Sequence, residues 1–285
     1  MKFRIQTLCF CWAVMGFAAI PAARAQNADL LARIKTGKTM TIATEARFAP
    51  FEFVRDGKIV GYDVDLLNYV MEKHLPDVRV KQLDIPFQGL LPGLDAKKFD
   101  FAATAIAVNK PRMARFAITV PVAESTVALL KRRDDPSLAA LDDLSGKTIG
   151  SQAGSGQLRI LQNFDQRLIA SGKPGLKAVK QYISFEEAYA DLANRRLDGV
   201  AQSLSNLGPV MSSRPGMFAV LEPMLGPTGY YGWMGRKDAD SASLVELFND
   251  GLAEANRDGT MARLQRKWFG FEMAVPADAM PLPGL

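Results

Sequence analysis

Histidine and cysteine are nearly missing from this 285-residue chain, which has one histidine, His74, and two cysteines, Cys9 and Cys11. Transition-metal sites draw on those residue types, and Cys–His or Ser–His–Asp chemistry needs a histidine placed beside a nucleophile. His74 continues the pattern Val64, Leu67, Val70 and Met71 of an amphipathic helix, so it is expected at a helix end and not in a metal or catalytic role. No metal site, no cofactor and no catalytic residue are expected. A strong excess of one charge is missing too: 35 basic against 30 acidic residues give a formal net charge of +5. That balance argues for neither nucleic acid nor an anionic membrane as partner. The sequence has no Gly-x-x-x-x-Gly-Lys, so a phosphate-cradling loop is excluded. Beyond the first twenty residues it has no apolar run of about 18, the length a bilayer core of ~30 Å requires.

What is present begins with a targeting segment. Lys2 and Arg4 precede an almost continuously apolar stretch over 5–20, and Ala23-Arg24-Ala25 places small residues where a signal peptidase reads them. Cleavage is expected before Gln26. Removing 1–25 takes away both cysteines, three of the 35 basic residues and none of the 30 acidic ones, leaving a net charge of +2. The remaining chain of about 260 residues would have no disulfide and must be held by its core, which that length can supply.

Short strands then alternate with helices, the pattern of an α/β protein. Strands are expected over 39–44, 79–85 and 99–104, with a helix capped by Asp63 running to about His74 and another opened by Pro86. An extended run over 126–131 leads to a second set. There, strands are expected at 147–152, 176–182 and 197–202, with helices opened by Ser155 and by the capping box Ser184-x-x-Glu187. A late extended segment at 230–235 precedes helices around 243–256 and 261–268. The proline-bearing tail, 274–285, is expected not to pack. Two α/β sets joined by two extended runs would meet in a cleft, where small-molecule sites preferentially form.

Four segments lie beyond the carboxyl ends of strands, where ligands bind in open α/β sheets. The aromatic-rich loop Thr44-Glu45-Ala46-Arg47-Phe48-Ala49-Pro50-Phe51-Glu52-Phe53 is one, and the stretch from Phe99 to Arg112, with Thr104 and Asn109, is another. Gly154-Ser155-Gly156 precedes a helix whose free N–H groups and dipole favour an anion. The small polar residues around Ser203 form the fourth. Together they suggest a carboxylate held by an arginine fork and a helix N-terminus, with aromatic walls around the rest.

At these residues the chain resembles the family of periplasmic solute-binding proteins for polar amino acids that serve ABC transporters. The resemblance runs from about Thr39 to Gly270. It is carried by Thr44-Glu45 with Phe48-Ala49-Pro50-Phe51, by Gly61-Tyr62-Asp63-Val64-Asp65-Leu66, and by Gly89-Leu90-Leu91-Pro92-Gly93-Leu94. Lys98-Phe99-Asp100, Leu144-Ser145-Gly146-Lys147 and Lys267-Trp268-Phe269-Gly270 follow in order and spacing. The resemblance implies a type II periplasmic-binding-protein fold, with two α/β lobes joined by two crossover strands and a ligand cleft between them. Lobe 1 would combine 26–125 with 225–270, lobe 2 would be 126–224, and 271–285 would be a flexible tail. It also implies a periplasmic monomer that delivers its solute to a membrane permease.

By position, Arg112 matches the arginine that grips the ligand carboxylate. Thr104 and Ala107 complete that grip, and Ser155 and Gly156 match the second-lobe helix start that meets it. Phe48 and Phe87 match the side-chain walls, and Glu45 matches an acidic position at the pocket edge. Two positions depart from the pattern. Ala107 stands where relatives carry Ser or Thr, and Ser203 stands where the family aspartate pairs with the ligand ammonium. The carboxylate half of an amino-acid site is thus expected without its ammonium half. A dehydratase of the cyclohexadienyl type, acting on prephenate or arogenate, is the alternative on the same scaffold. It has only Glu45, and no histidine, to offer for acid–base work.

Overall fold

The structure is a computed structural model, and it describes residues 29–283; the expected targeting segment lies outside the described residues. Asp29 caps the first helix, its carboxylate accepting the Ala32 N–H, ahead of α1 (Leu30–Gly37) and β1 (Thr39–Thr44). The aromatic-rich segment expected as a loop forms a small antiparallel sheet of β2 (Arg47–Phe48), β3 (Glu52–Arg55) and β4 (Lys58–Val60). Then come α2 (Tyr62–His74), β5 (Arg79–Asp84), α3 (Phe87–Asp95) and β6 (Phe101–Ala107). After α4 (Lys110–Arg115), β7 (Phe116–Ile118) and β8 (Ala123–Glu124), the chain crosses to a second sheet.

That sheet is built from β9 (Val127–Arg132), β10 (Thr148–Gln152), β11 (Ala178–Tyr182), β12 (Gly199–Ser203) and β13 (Phe218–Leu221). It carries α5 (Gly156–Ala170), α6 (Phe185–Ala193) and α7 (Leu204–Ser213). The chain then returns through β14 (Tyr230–Arg236) and ends its helices with α8 (Ala242–Arg257) and α9 (Thr260–Phe269). The first sheet has the order β5-β1-β6-β14-β7, with β8 also on β14; the second runs β11-β10-β12-β9-β13. In each, the first three strands are parallel, and a strand arriving by a crossover joins them antiparallel. The two crossovers are themselves tied together, Ser125 N–H donating to the Gly229 carbonyl at 2.8 Å.

Several boundaries moved for tertiary reasons. β6 starts at Phe101 because Asp100 is already engaged with β1, its carboxylate accepting the Thr41 N–H at 2.7 Å. It runs on to Ala107 because β14, far away in sequence, pairs with it there. Asp63 does not cap α2: Gly61 holds that position, and Asp63 sits fully buried inside the first turn. The tail also departs from expectation over 273–283. The buried Met273 donates its N–H to the Gln265 amide oxygen, Asn256 donates to the Val275 carbonyl, and Met280 lies against Gly232 of β14. Two hydrogen bonds and one apolar contact thus hold a segment whose prolines suggested otherwise.

The first lobe's core is aromatic. Phe101 stacks on Phe248 at 4.3 Å between ring centres, while Phe51 meets both Tyr231 and Phe269 at 5.0 Å. Gly61 makes the junction of β4 and α2 possible. Its φ of 140° is outside the range of other residues, and a Cβ there would lie 2.1 Å from the Phe51 carbonyl oxygen. Gly61→Ala is therefore expected to cost about 3 kcal/mol, or roughly 6–12 °C in Tm, measured by thermal unfolding. A loss within 1 °C would refute this account of the junction.

Candidate ligand-binding cleft

Arg112 stands on α4, the short helix after β6, positioned by Asn109, whose side-chain oxygen accepts the Arg112 N–H as the helix cap. Its side chain is nine-tenths buried, and no carboxylate pairs with it among the described residues. Instead it donates to two carbonyls, Ala107 of the first lobe at 2.6 Å and Gly154 of the second at 2.8 Å. Its guanidinium lies 5.4 Å over the Phe87 ring, at the start of α3. Burial, and next the positive charge of Arg159, push its pKa down to about 10. A buried cation held only by neutral dipoles is short of negative charge, which an anion can supply.

The second lobe brings the start of α5 to the same point. Ser155 caps that helix, its hydroxyl accepting the Leu158 N–H at 3.0 Å, while Gly156 is the first helical residue. Gly156 approaches so closely that a Cβ on it would lie 2.6 Å from the Ala107 Cβ. Outside this junction a groove of about 400 Å³ runs past Arg112, Asn109, Ser155 and Arg159. On the hinge side a smaller cavity of about 70 Å³ is walled by Ala107, Gly156 and Tyr230 and covered by Met280 to Pro283.

A second cluster collects the remaining expected residues. Glu45 follows β1, is buried, and accepts a hydrogen bond from the Gln152 side chain at the end of β10 in the opposite lobe. Burial, opposed by that bond, raises its pKa to about 8, with a further upward push from Glu186. Phe48 of β2 is stacked on Phe51 and faces Phe185 of the second lobe at 5.9 Å. Ser203, at the end of β12, is fully buried in a neutral network. Its hydroxyl oxygen receives Gln157 Nε2 at 3.0 Å and the Tyr231 hydroxyl at 2.7 Å, and donates to the Ser125 carbonyl at 3.2 Å. Gln202 and Asn206 complete that network.

Arg112, Ala107, Phe87, Ser155 and Gly156 therefore meet at one junction, and Glu45, Phe48 and Ser203 lie in the adjoining polar–aromatic cluster. Thr104 is different: its hydroxyl oxygen receives the Glu45 N–H at 3.4 Å, but its proton goes to Glu52 beneath the cleft. Sequence reasoning missed Gln152, Gln157, Tyr231 and Phe185, which face the other expected residues. Gln152 and Gln157 flank the Gly154-Ser155-Gly156 turn, a signal that could have found them. Tyr231 lies on the return crossover and Phe185 opens α6, so their placement needed the fold.

The sequence profile of the bacterial extracellular solute-binding proteins, family 3, matches residues 40–271. A probable histidine-binding protein of Campylobacter jejuni is 26% identical over 234 residues, covering 82% of this chain and 86% of its own. The ABC transporter arginine-binding protein 1 of Escherichia coli is 26% identical over 81% of this chain and 90% of its own. Among solved structures, an ancestral arginine-binding protein bound to glutamine aligns with a TM-score of 0.70 at 29% identity, covering 82% of this chain and 98% of its own. A substrate binding protein of an ABC uptake transporter from Streptococcus pneumoniae, with bound histidine, gives 0.77 at 24% identity over 87% of this chain and 99% of its own, a likeness of fold alone. The fold is thus the type II periplasmic-binding-protein fold, and the chain belongs to the bacterial extracellular solute-binding proteins, family 3.

Proposed function

We propose that this protein is the periplasmic capture component of an ABC uptake transporter, and that it closes its two lobes over a small carboxylate-bearing solute. The observation that carries the reading is Arg112, a buried guanidinium at the lobe junction with no acidic partner among the described residues, beside the N-terminus of α5. The relatives are named as a probable histidine-binding and an arginine-binding protein, which supports an amino acid or a related carboxylate-bearing solute as ligand. Those relatives are binding proteins, and they lend no support to the dehydratase alternative. In this reading 1–25 is removed on export, and the monomer presents lobe 1 (26–125 and 225–270) and lobe 2 (126–224) together to a membrane permease. The crossings of the chain at 125–126 and 222–229 support that division.

Ligand entry replaces the two carbonyl partners of Arg112 by a carboxylate, a stronger, charge-assisted pair. Removing one member of such a buried pair costs ~3–5 kcal/mol, a factor of a hundred or more in affinity. Arg112→Ala is therefore expected to abolish the ligand-induced rise in Tm for every ligand that raises that of the parent protein. An Arg112→Ala variant that binds as tightly as the parent would end this reading.

The other end of the cleft supports a ligand without an α-ammonium. Ser203, Gln157, Gln202, Tyr231 and Asn206 are all neutral, and a buried ammonium left without a counter-charge costs several kcal/mol. In a thermal-shift series, 2-oxo acids and N-acetylated amino acids are expected to raise Tm more than free arginine, histidine or glutamine. Ser203→Asp is expected to reverse that order. Micromolar binding of an unmodified amino acid, lost on Glu45→Gln, would show instead that Glu45 supplies the missing charge.

Glu45 adds a pH dependence whose sign is fixed. Its carboxyl titrates near 4.5 when unfolded and near 8 in the fold, so the folded protein holds the proton more tightly between those values. Its contribution to stability is full below the unfolded value and lost as pH rises through about 8. Tm is expected to fall over that window, and the Glu45→Gln variant to show a shallower fall. A Glu45→Gln curve parallel to that of the parent would contradict the assignment.

A further inference from the structure

Beneath the cleft floor lies a pair of carboxyl groups that ligand binding does not use. Glu52, on β3, and Asp63, in the first turn of α2, are 0% and 1% exposed. No basic side chain forms an ion pair with either among the described residues; Glu45 adds its charge to the pair, and the pair in turn helps hold the hydroxyls of Tyr62 and Tyr231 protonated. Two such carboxylates side by side and out of water cannot both stay charged.

The hydrogen bonds around them run in one direction. The Glu45 N–H donates to the Thr104 hydroxyl oxygen at 3.4 Å, and the Thr104 hydroxyl donates to Glu52 Oε1. That leaves Glu52 Oε2, both Asp63 oxygens and the Trp233 indole N–H as buried polar atoms without a conventional partner. Glu52 and Asp63 lie within reach of each other, and the Trp233 indole lies beside Asp63; a proton on Glu52 Oε2 donated to Asp63 gives both carboxyl groups a partner. Asp63 then bears the single negative charge, at the N-terminal end of α2 where the helix dipole favours it. Burial raises the titration of both groups, Asp63 to about 7 and Glu52 well above the usual carboxyl range, in keeping with a retained proton.

We infer that Glu52 and Asp63 are positioning residues that share one proton and, through Thr104, fix Glu45 at the cleft floor. The Thr104 hydroxyl is consequently spent on this chain and does not reach into the cleft. Only the functional consequence rests on the reading of Glu45 as a cleft residue; the chain itself can be tested with no ligand present.

The test uses two-dimensional NMR of the full mature chain in a Glu45→Gln background, so that the side chain at 45 does not itself titrate. The amide N–H of residue 45 and the indole N–H of Trp233 are followed from pH 5 to 10. Both are expected to shift with one common midpoint above pH 7. Glu52→Gln, which can still accept from Thr104 and donate to Asp63, is expected to keep the fold and abolish that common titration. Thr104→Val is expected to leave the indole titration in place while disconnecting residue 45 from it. Resonances that stay still in the background protein, or that titrate unchanged after Glu52→Gln, would overturn the inference.

Discussion

A guanidinium taken out of water between two bodies is the constraint on which this structure turns. An isolated buried cation is costly, and Arg112 meets that cost with one carbonyl from each lobe and the face of Phe87. Half of this support, the Gly154 carbonyl, is present only while the lobes are together. The accommodation of the charge thus depends on both lobes. In the proposed reading, a carboxylate at the same point would give the cation a better partner than either dipole.

The chain passes between the sheets twice, and the passages are held side by side by the Ser125–Gly229 bond. Two neighbouring strands constrain relative motion to a hinge more tightly than a single linker would. Across the hinge, Gln152 reaches Glu45, Gln88 reaches the carbonyls of Ala153 and Ile183, and Asn206 reaches the Ala49 carbonyl at 2.9 Å. Apart from Glu45, these partners are neutral. The aromatic block of Phe48, Phe51, Tyr231 and Phe269 forms the rigid wall behind them.

Local sequence determined much of this. The strands β1, β5, β10 and β12 and the helix starts at Ser155 and Ser184 follow from apolar alternation and capping chemistry, which act within a few residues. The positions of Arg112, Ser155, Gly156 and Glu45 after strand ends were legible for the same reason. What the tertiary structure alone decided are contacts between distant segments. The small sheet of β2 to β4 needed the docking of α2 on the Pro50 and Phe51 carbonyls, and the tail needed a surface made by Gln265, Asn256 and Gly232. Asp63 reads as a helix cap from its neighbours alone, yet it faces Glu52 because burial between a helix and a strand outweighs a local cap. Thr104 reads as a cleft residue by position, but its hydroxyl is turned away by the Glu45 N–H it receives and by the Glu52 oxygen that accepts its proton. Hydrogen-bond direction depends on every partner in three dimensions, and no local pattern encodes it.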